Sequence, residues 1–469
     1  MQSTKLIMLK IKKISVTKTI AAALVLLAAQ NVSAQENSPY SRYGLGDLVP
    51  NTNVVNRSLG RVSAGYADAL SVNFANPASY SAFKSYLEAR SKKSMYGRVL
   101  LDVGINYENK TLQNPNEPLK HSSSYGYFSY LQVGIPLKEK WGLSFGLRPL
   151  SRISYKIART GPLFDAKTGN FIDSAYTENS GNGGSFLPTI GTGFAIKNLS
   201  LGTNIGYLFG KKEYSTRIFF LNDTAAFNSS NHSTNSSFGG LYMDAGAQYR
   251  ILLKRNSREK GNEKETYIRL GLSGNWEQQI RAERNLVRET FERDLNGSDV
   301  QKDSVSIQTQ TGKLVYPASY TAGFVIEHNE QKGSGWLIGT DLVKTKWNNY
   351  RFIDSAESVQ DNWQLRIGGH LRPAPNRNYF SNVIYRAGFF IGPDYINTGK
   401  ELPLYGITFG MGLPLPNYNR MSQSQATIVN LGFEYSRRGN NENLLKENLF
   451  RVSIGLNFSD LWFSKRRYE

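Results

Sequence analysis

The sequence predicts an all-β protein, a transmembrane antiparallel β-barrel of about 14 strands with an N-terminal hatch that plugs its lumen. The first observation is alternation, clearest at residues 450–458, where apolar residues alternate with small or polar ones. Successive side chains of a strand point to opposite faces, so one face of this segment is apolar and the other is polar. The pattern recurs along the chain, which indicates a wall with lipid outside and a polar lumen inside.

The second observation is an export signal at the N-terminus. Five lysines and no acidic residue lie within residues 1–34, an apolar run covers residues 20–29, and the small residues 32–34 form a cleavage site. The apolar run is shorter than the roughly 20 residues that a membrane-spanning helix needs. We therefore expect a cleaved signal peptide at 1–34, and its removal lowers the formal net charge from +19 to +14.

The third observation is an irregular segment between the signal and the first alternating residues. Residues 35–82 are rich in Gly, Asn, Ser and Pro and do not alternate. Irregular backbone at membrane depth is tolerated only when it is buried in protein or lines a cavity. The predicted domains are the signal peptide at 1–34, a hatch at 35–82 and the barrel at 83–469.

The barrel strands can be placed from the alternation, and their number is even. Short connections alternate with longer ones rich in Asn, Ser and Gly, including 110–121, 160–183, 221–236 and 290–303, which fits periplasmic turns and outer loops. The first strand, at 83–110, is long, and an additional short strand or hairpin there would change the count. The predicted strands are 83–110, 122–136, 141–159, 184–196, 199–220, 237–253, 265–288, 304–328, 335–352, 362–372, 380–392, 403–413, 424–437 and 448–463.

Composition argues against several classes of function. The chain has no cysteine, which excludes thiol nucleophiles and thiolate metal sites. Its four histidines are far apart, at 121, 232, 328 and 370, and none has the spacing of metal ligands. We expect no enzyme, catalytic residue, metal or cofactor. The basic residues are scattered, and behind an export signal they favour contact with outer-membrane lipid headgroups over nucleic acid.

One segment resembles a known family. Residues 61–78, which contain Asp68 and end in Asn76, Pro77 and Ala78, resemble the end of the hatch in the FadL-like family of long-chain fatty-acid outer-membrane transporters. Segments 187–193, 316–323, 336–347 and 385–388 are similar to strands of the same family. The opening at 38–47 and the closing residues 461–469 look like its Bacteroidetes-type branch.

The resemblance implies a 14-stranded barrel in the Gram-negative outer membrane, a hatch, and passive uptake of hydrophobic compounds such as long-chain fatty acids. It also implies a kink in the third strand through which the ligand leaves sideways. Pro149, flanked by Arg148 and Ser151, lies in our third strand and cannot donate a ladder hydrogen bond. A lateral opening and a simple β-bulge both remain open.

The candidate site residues have structural alternatives too. Asn76, Pro77 and Ala78, with Asp68, either gate the hatch or only form a turn. Four charged residues are predicted to face the lumen, where they contact either a ligand headgroup or the hatch and neighbouring strands; they are Asp341, Arg366, Arg386 and Glu434.

Two other functions remain open. A FadL-like barrel can act as a docking or shuttle component of an outer-membrane secretion machinery, with a protein partner at its outer loops. It can also be a purely structural outer-membrane protein. A large exposed patch on the loops would favour docking, and the loop sequences do not decide between these readings.

Overall fold

The computed structural model describes residues 38–87, 94–165, 167–221, 228–256, 263–293, 298–331, 333–415 and 425–462. The predicted signal peptide at 1–34 and the C-terminal residues 463–469 lie outside the described residues. Among the described residues, no helix is long and apolar enough to cross a membrane.

A closed antiparallel barrel of fourteen strands forms the wall, as the alternation predicted. Each strand pairs with its sequence neighbours, and the last strand pairs with the first from Lys446↔Gln113 to Trp462↔Gly97. The strands are β1 Ser94–Gln113, β2 Lys120–Lys138, β3 Trp141–Phe164, β4 Phe171–Ile196, β5 Leu199–Phe220, β6 Ser229–Asn256, β7 Lys264–Asn275 with Gln278–Arg293, β8 Asp299–Tyr316 with Ser319–Glu330, β9 Gly335–Thr345 with Arg351–Phe352, β10 Asn362–Arg372, β11 Ile384–Pro393, β12 Pro403–Leu415, β13 Ala426–Arg438 and β14 Lys446–Trp462.

The predicted strand at 83–110 is in fact two strands. Ser85–Leu87 pairs antiparallel with the first residues of β1, from Ser85↔Gly97 to Leu87↔Ser94. This short strand does not add to the wall, because the closing contact of β1 is made by β14. The even count therefore holds despite the hairpin.

The strands differ greatly in length around the barrel. Strands β3 to β6 have 24, 26, 22 and 28 residues, whereas β9 to β11 have 11, 11 and 10 in their main segments. About 9–11 tilted residues suffice to cross a bilayer, so β3 to β8 continue outward as a sheet. The predicted long loops at 160–183 and 290–303 are therefore wrong, because most of their residues are strand, and the loops predicted at 110–121 and 221–236 are half strand. Polar sequences on both faces of the outer strands hid this pairing.

An apolar belt covers the outside of the wall. Ile205, Tyr207 and Phe209 on β5 and Leu241 on β6 are exposed, while residues of opposite parity such as Asn204 are buried. Aromatic rings also lie on the outer face, where Phe186 and Phe209 stack with centroids 6.0 Å apart. This is the arrangement that a lipid-facing barrel requires.

The hatch lies inside the barrel and contains little regular structure. Its elements are a 3₁₀ turn at Pro39–Arg42, a short strand at Asp47–Leu48, the helix α1 at Val54–Arg57 and a 3₁₀ helix at Pro77–Ala82. Asn53 caps α1, since its side chain accepts a hydrogen bond from the Asn56 backbone N–H at 2.8 Å. Ser38 lies at the outer end against β3 and β14, and Asn76 lies against β6 and β7.

A hydrophobic core closes the outer end of the lumen. Tyr40 and Leu45 of the hatch pack there with side chains of the wall and of two outer loops. The rings of Trp347 and Tyr395, one from each loop, have centroids 4.2 Å apart. The remaining short elements are 3₁₀ turns at Trp347–Asn349 and Tyr379–Asn382 and a strand at Ser355–Ala356 that pairs with Arg351–Phe352.

Candidate functional site: the lumen and the seam between β2 and β3

Buried ion pairs join the hatch to the wall. Arg61 of the hatch donates from Nη2 to Oε1 of Glu434 on β13 at 2.7 Å, and the same oxygen accepts from Arg451 Nη1 at 2.8 Å. Arg451 on β14 also pairs with Glu108 on β1. All four side chains lie inside the protein, where an unpaired charge costs several kcal/mol, on the order of 3–5 when one partner is removed. The hatch is therefore held electrostatically.

A second arginine of the hatch is fully enclosed. Arg57 donates from Nη1 to Asn106 Oδ1 at 2.6 Å, and from Nη2 to Thr52 O at 2.9 Å and Ser129 Oγ at 3.1 Å. These partners belong to β1, the hatch itself and β2. Arg57 thus fixes α1 to the two strands that precede the third.

The wall is interrupted between β2 and β3. Their pairing runs from Lys138↔Trp141 only as far as Leu131↔Leu147, although both strands continue outward for many residues. Above this point the described residues show ladder pairing of β2 with β1 and of β3 with β4. We call this interruption the seam. A barrel normally has no strand edges, and the seam creates two.

The seam begins at the predicted kink. Pro149 follows Leu147 by two residues and has no N–H to donate, and the register with β4 shifts between Pro149 and Ser151. Ser151 Oγ lies 2.7 Å from Ser185 Oγ on β4. Arg148 is fully buried, with its guanidinium carbon 4.9 Å from the centroid of the Phe74 ring of the hatch. The three residues therefore lie together at the base of the seam.

The hatch fills the lower part of the seam. Asp47 and Leu48 pair antiparallel with Arg152 and Ser151 of β3. The Val49 N–H donates to Leu150 O at 2.9 Å, and the Ser38 N–H donates to Ser154 O at 3.1 Å. The edge of β3 that β2 leaves is thus partly taken by backbone of the hatch.

One arginine bridges the two separated strands. The guanidinium carbon of Arg152 on β3 lies 4.3 Å from the ring centroids of both Tyr125 and Tyr127 on β2. The hydroxyls of both tyrosines donate to the carboxylate of Glu108. Cation–π contacts of this kind contribute roughly 0.5–2 kcal/mol each, so Arg152 holds the seam closed against β2.

A charge cluster at the outer end anchors the start of the hatch. Asp47 accepts from Lys110 Nζ and from Arg438 Nη2, each at 2.7 Å. Burial alone would raise the pKa of Asp47, but the charges of Arg438 and Lys110 outweigh it and hold that pKa below its usual range. Arg438 also pairs with Glu447 on β14.

Between the hatch and the wall lies a cavity of about 300 Å³. Apolar and aromatic side chains line part of it, and charged side chains of both signs line the rest, among them Arg61, Arg366, Asp47 and Glu108. Its lining is amphipathic, which suits a molecule with an apolar body and a polar head better than a purely apolar one.

The Asn76–Pro77–Ala78 turn is packed directly against the wall. Asn76 accepts from the Ala78 N–H at 3.1 Å and donates to Ala64 O at 2.7 Å and Leu272 O at 3.3 Å. A Cβ on Gly246 of β6 would lie 2.0 Å from Asn76 Oδ1. Asp68 accepts from the Leu70 N–H at 3.1 Å and from the Tyr66 hydroxyl at 3.3 Å. The contacts of Asn76 hold the turn against β6 and β7.

The four charged residues predicted for the lumen all face inward, and three of them contact the hatch. Besides Glu434, Asp341 Oδ2 accepts from the backbone N–H groups of Ser63 at 2.6 Å and Ala64 at 2.9 Å. Arg366 donates to Arg61 O at 3.3 Å and to Gln364 on its own strand at 2.7 Å. Arg386 donates instead to Asn430 of β13 at 2.9 Å.

Sequence reasoning missed the residues that act at the seam. Asp47 and Arg152 gave no signal, because their partners are set by the three-dimensional paths of the hatch and of β3. Two alternating tyrosines beside a strand with an internal proline were the available signal, and it was weak. Glu108 has the same parity in β1 as Asp102 and Asn106 and could have been assigned to the lumen with them.

A closed barrel with an apolar outer belt and an internal hatch defines the class of plugged outer-membrane β-barrels. This fold fits an outer-membrane location. Within that class the chain belongs to the BamG family, whose model matches residues 11–469. A comparison with curated proteins found no match.

Solved structures share the architecture at low identity. They include the CymD monoaromatic hydrocarbon channel (10% identity, 89% of this chain and 98% of that chain, TM-score 0.47). The toluene transporter TodX of Pseudomonas putida (14%, 89% and 99%, 0.45) and a FadL homologue of Pseudomonas aeruginosa (13%, 90% and 100%, 0.47) are also similar. The predicted 14-stranded barrel is confirmed by the strand pairing. The Bacteroidetes-type branch stays a prediction.

Proposed function

We propose that this protein is an outer-membrane channel for passive uptake of hydrophobic compounds, such as long-chain fatty acids. The observation that carries the proposal is the seam, where β2–β3 pairing stops at Leu131↔Leu147 and hatch backbone takes the place of the missing strand. Hatch backbone that pairs with β3 over two residues can be displaced while the wall stays folded, whereas a strand paired along its whole length cannot. Molecules would leave sideways through the seam rather than along the lumen axis.

The cavity supports an amphipathic ligand. Arg366 lines it and makes its described hydrogen bonds to an amide oxygen and a carbonyl, so its guanidinium could receive a carboxylate in the planar, two-bonded geometry that arginine favours. Leu48, Val49 and Leu150 line the same cavity beside the seam. A fatty-acid chain placed along them would point from Arg366 toward the opening.

A reversible lock on the seam tests the proposal. Leu48 and Ser151 are direct antiparallel partners, and such Cα pairs lie about 4.5–5.5 Å apart, within the range that a disulfide bridges. The chain has no cysteine, so the Leu48→Cys/Ser151→Cys variant can form one intramolecular disulfide. We expect oxidised cells to take up less radiolabelled oleate and reduced cells to recover. Each single-cysteine variant is the control, and equal uptake in both redox states would refute lateral release.

Co-purification gives an independent test. Mass spectrometry of the detergent-extracted protein should show enriched fatty-acid-like lipids, and Arg366→Gln should weaken that enrichment. A barrel that carries no such lipid in either form would argue against the uptake function.

A second function is favoured by a different observation. The outer mouth is closed by the packed core around Trp347 and Tyr395, and the sheet of β3 to β8 rises beside it. A closed mouth beneath a tall exposed sheet suits a docking subunit of an outer-membrane secretion machinery, which needs a surface rather than a pore. Stoichiometric co-purification of one protein partner, with oleate uptake unaffected by the seam lock, would favour this function.

A further inference from the structure

Among the described residues, the tall sheet of β3 to β8 ends at two strands that have a ladder partner on only one side in their upper parts. Its first strand, β3, is separated from β2 at the seam, and its last, β8, extends far above β9. Residues 302–312 of β8 pair with β7 on one side. On the other side, pairing in the described chain begins only at Leu314↔Phe352 and Val315↔Arg351. The upper part of this sheet therefore ends at these two edges and does not close on itself.

The chain itself already adds strands to both edges. Asp47–Leu48 pairs with β3, and Arg351–Phe352 pairs with β8 just below the free residues. Each addition is two residues long and then leaves the sheet. Both edges therefore pair with extended backbone, and in each case the added segment ends below the upper part of the edge strand.

The two upper edges differ in their protection. The β3 edge contains Gly161 and Pro162, and proline is one of the devices that block strand addition. Residues 302–312 of β8 contain no proline, and their only glycine is Gly312. Residues 306–309 are exposed, and Ile307 is 69% exposed. A long exposed edge without such a block is a site for strand pairing.

We propose that residues 302–312 of β8 bind an extended segment of an exported polypeptide as an additional β-strand. Backbone hydrogen bonds would supply the affinity, and the two faces of the edge would supply the selectivity. On the lumen side, Ser306 and Gln308 pair with Arg288 and Leu286 of β7, and Arg288 is exposed. On the outer side, Ile307 pairs with Val287.

These faces specify the bound segment. It carries polar side chains beside Ser306 and Gln308 and an apolar side chain beside Ile307, in alternation. Arg288 lies one strand further away, on β7, and favours acidic over basic side chains among the polar ones. A second copy of this chain fits poorly, because its β8 would run parallel to this one, which is the less stable pairing, and its β3 edge contains Gly161 and Pro162. The proposal is independent of solute uptake and would supply the docking surface of the second function.

Peptide binding to the full-length, detergent-purified protein tests the proposal. The probe is a fluorescein-labelled peptide that alternates valine and glutamate, and the comparison peptide alternates valine and lysine. We expect saturable binding of the first and binding weaker by roughly threefold or more for the second, because Arg288, one strand away from the bound segment, attracts glutamate and repels lysine. Fluorescence anisotropy measures both.

Proline variants locate the site. Gln308→Pro and Thr309→Pro are both made, since adjacent N–H groups point to opposite sides of a strand and one of the two faces the free edge. The variant whose lost N–H faced the free edge should still fold, which heat-modifiable migration in gel electrophoresis shows, and it should lose peptide binding. Ala158→Pro on the β3 edge should keep peptide binding. No saturable binding, or equal loss in Ala158→Pro, would overturn the proposal. Neither result changes what is expected of oleate uptake in the Leu48→Cys/Ser151→Cys variant. Strand binding at β8 and solute uptake through the seam are therefore tested separately.

Discussion

Arg61 of the hatch and Glu434 of β13 form a buried ion pair, with Nη2 and Oε1 2.7 Å apart. Glu434 pairs in turn with Arg451, Arg451 with Glu108, and Glu108 with the tyrosines that hold Arg152. A continuous series of contacts therefore joins the hatch to the seam. Movement of the hatch and separation of β2 from β3 would disturb the same charges.

Replacing Glu434 should loosen the hatch. Glu434→Gln leaves Arg61 and Arg451 buried near each other with one carboxylate fewer, and losing one partner of a buried pair costs about 3–5 kcal/mol. We expect a lower thermal unfolding temperature and larger or more frequent currents across a planar bilayer.

Glu330→Gln is the control for Glu434→Gln, since Glu330 ends β8 at a turn and is far more exposed than Glu434. It should change neither the melting temperature nor the current. If both variants behave like the unmodified protein, the ion pairs do not hold the hatch.

Asp341 should protect the backbone of the hatch. Its Oδ2 accepts from the N–H groups of Ser63 and Ala64, and a buried N–H left without an acceptor costs about 1–3 kcal/mol. In Asp341→Ala, hydrogen exchange at Ser63 and Ala64 should accelerate, whereas exchange at Val49 should not. Uniform acceleration across the barrel would show general unfolding instead.

A methyl group at Gly246 should displace the Asn76–Pro77 turn. The added Cβ would lie 2.0 Å from Asn76 Oδ1, whereas at Gly126 the nearest atom is 3.8 Å away. Overpacking of this kind costs typically about 1–3 kcal/mol. Gly246→Ala should therefore lower the melting temperature and Gly126→Ala should not. Equal stability of the two variants would mean that the turn moves without cost.

The wall of the barrel was predictable because its signal is local. Residues i and i+2 share a face, so a lipid-facing strand shows its parity in a single window, as at residues 450–458. Outside the lipid that signal disappears, because polar residues occupy both faces of the outer sheet, as in the neighbouring cross-strand pairs Asn179↔Thr216 and Ser180↔Ser215. This is why the sequence predicts loops where the structure has strands of the outer sheet.

The hatch contacts were not predictable for a different reason. Arg61 and Glu434 are 373 residues apart, and the irregular backbone of residues 38–83 has no period that would fix which side chain faces which strand. Parity placed Glu434 and Asp341 in the lumen, but only the folded path of the hatch selects their partners. The seam itself had one local sign, Pro149, which a bulge explained equally well.

Asp47 makes the anchoring of the first hatch residues depend on pH in a defined direction. Its folded-state pKa lies below the ordinary value of about 3.9 because Arg438 and Lys110 outweigh the effect of burial. A group with a lowered pKa contributes stability that is fully present above its unfolded pKa and is lost as the pH falls through the folded one. Between about pH 8 and 5 the anchoring should therefore stay constant.

Hydrogen exchange at Val49, corrected for its intrinsic pH dependence, measures this anchoring, since its N–H donates to Leu150 O on β3. Protection should persist to pH 5 in the unmodified protein and be reduced already at neutral pH in Asp47→Asn. Loss of protection between neutral pH and pH 5 would contradict the role of Asp47. It would point instead to Asp394, whose pKa burial raises although Arg438 opposes that rise, because a carboxyl with a raised pKa takes up its proton at a higher pH.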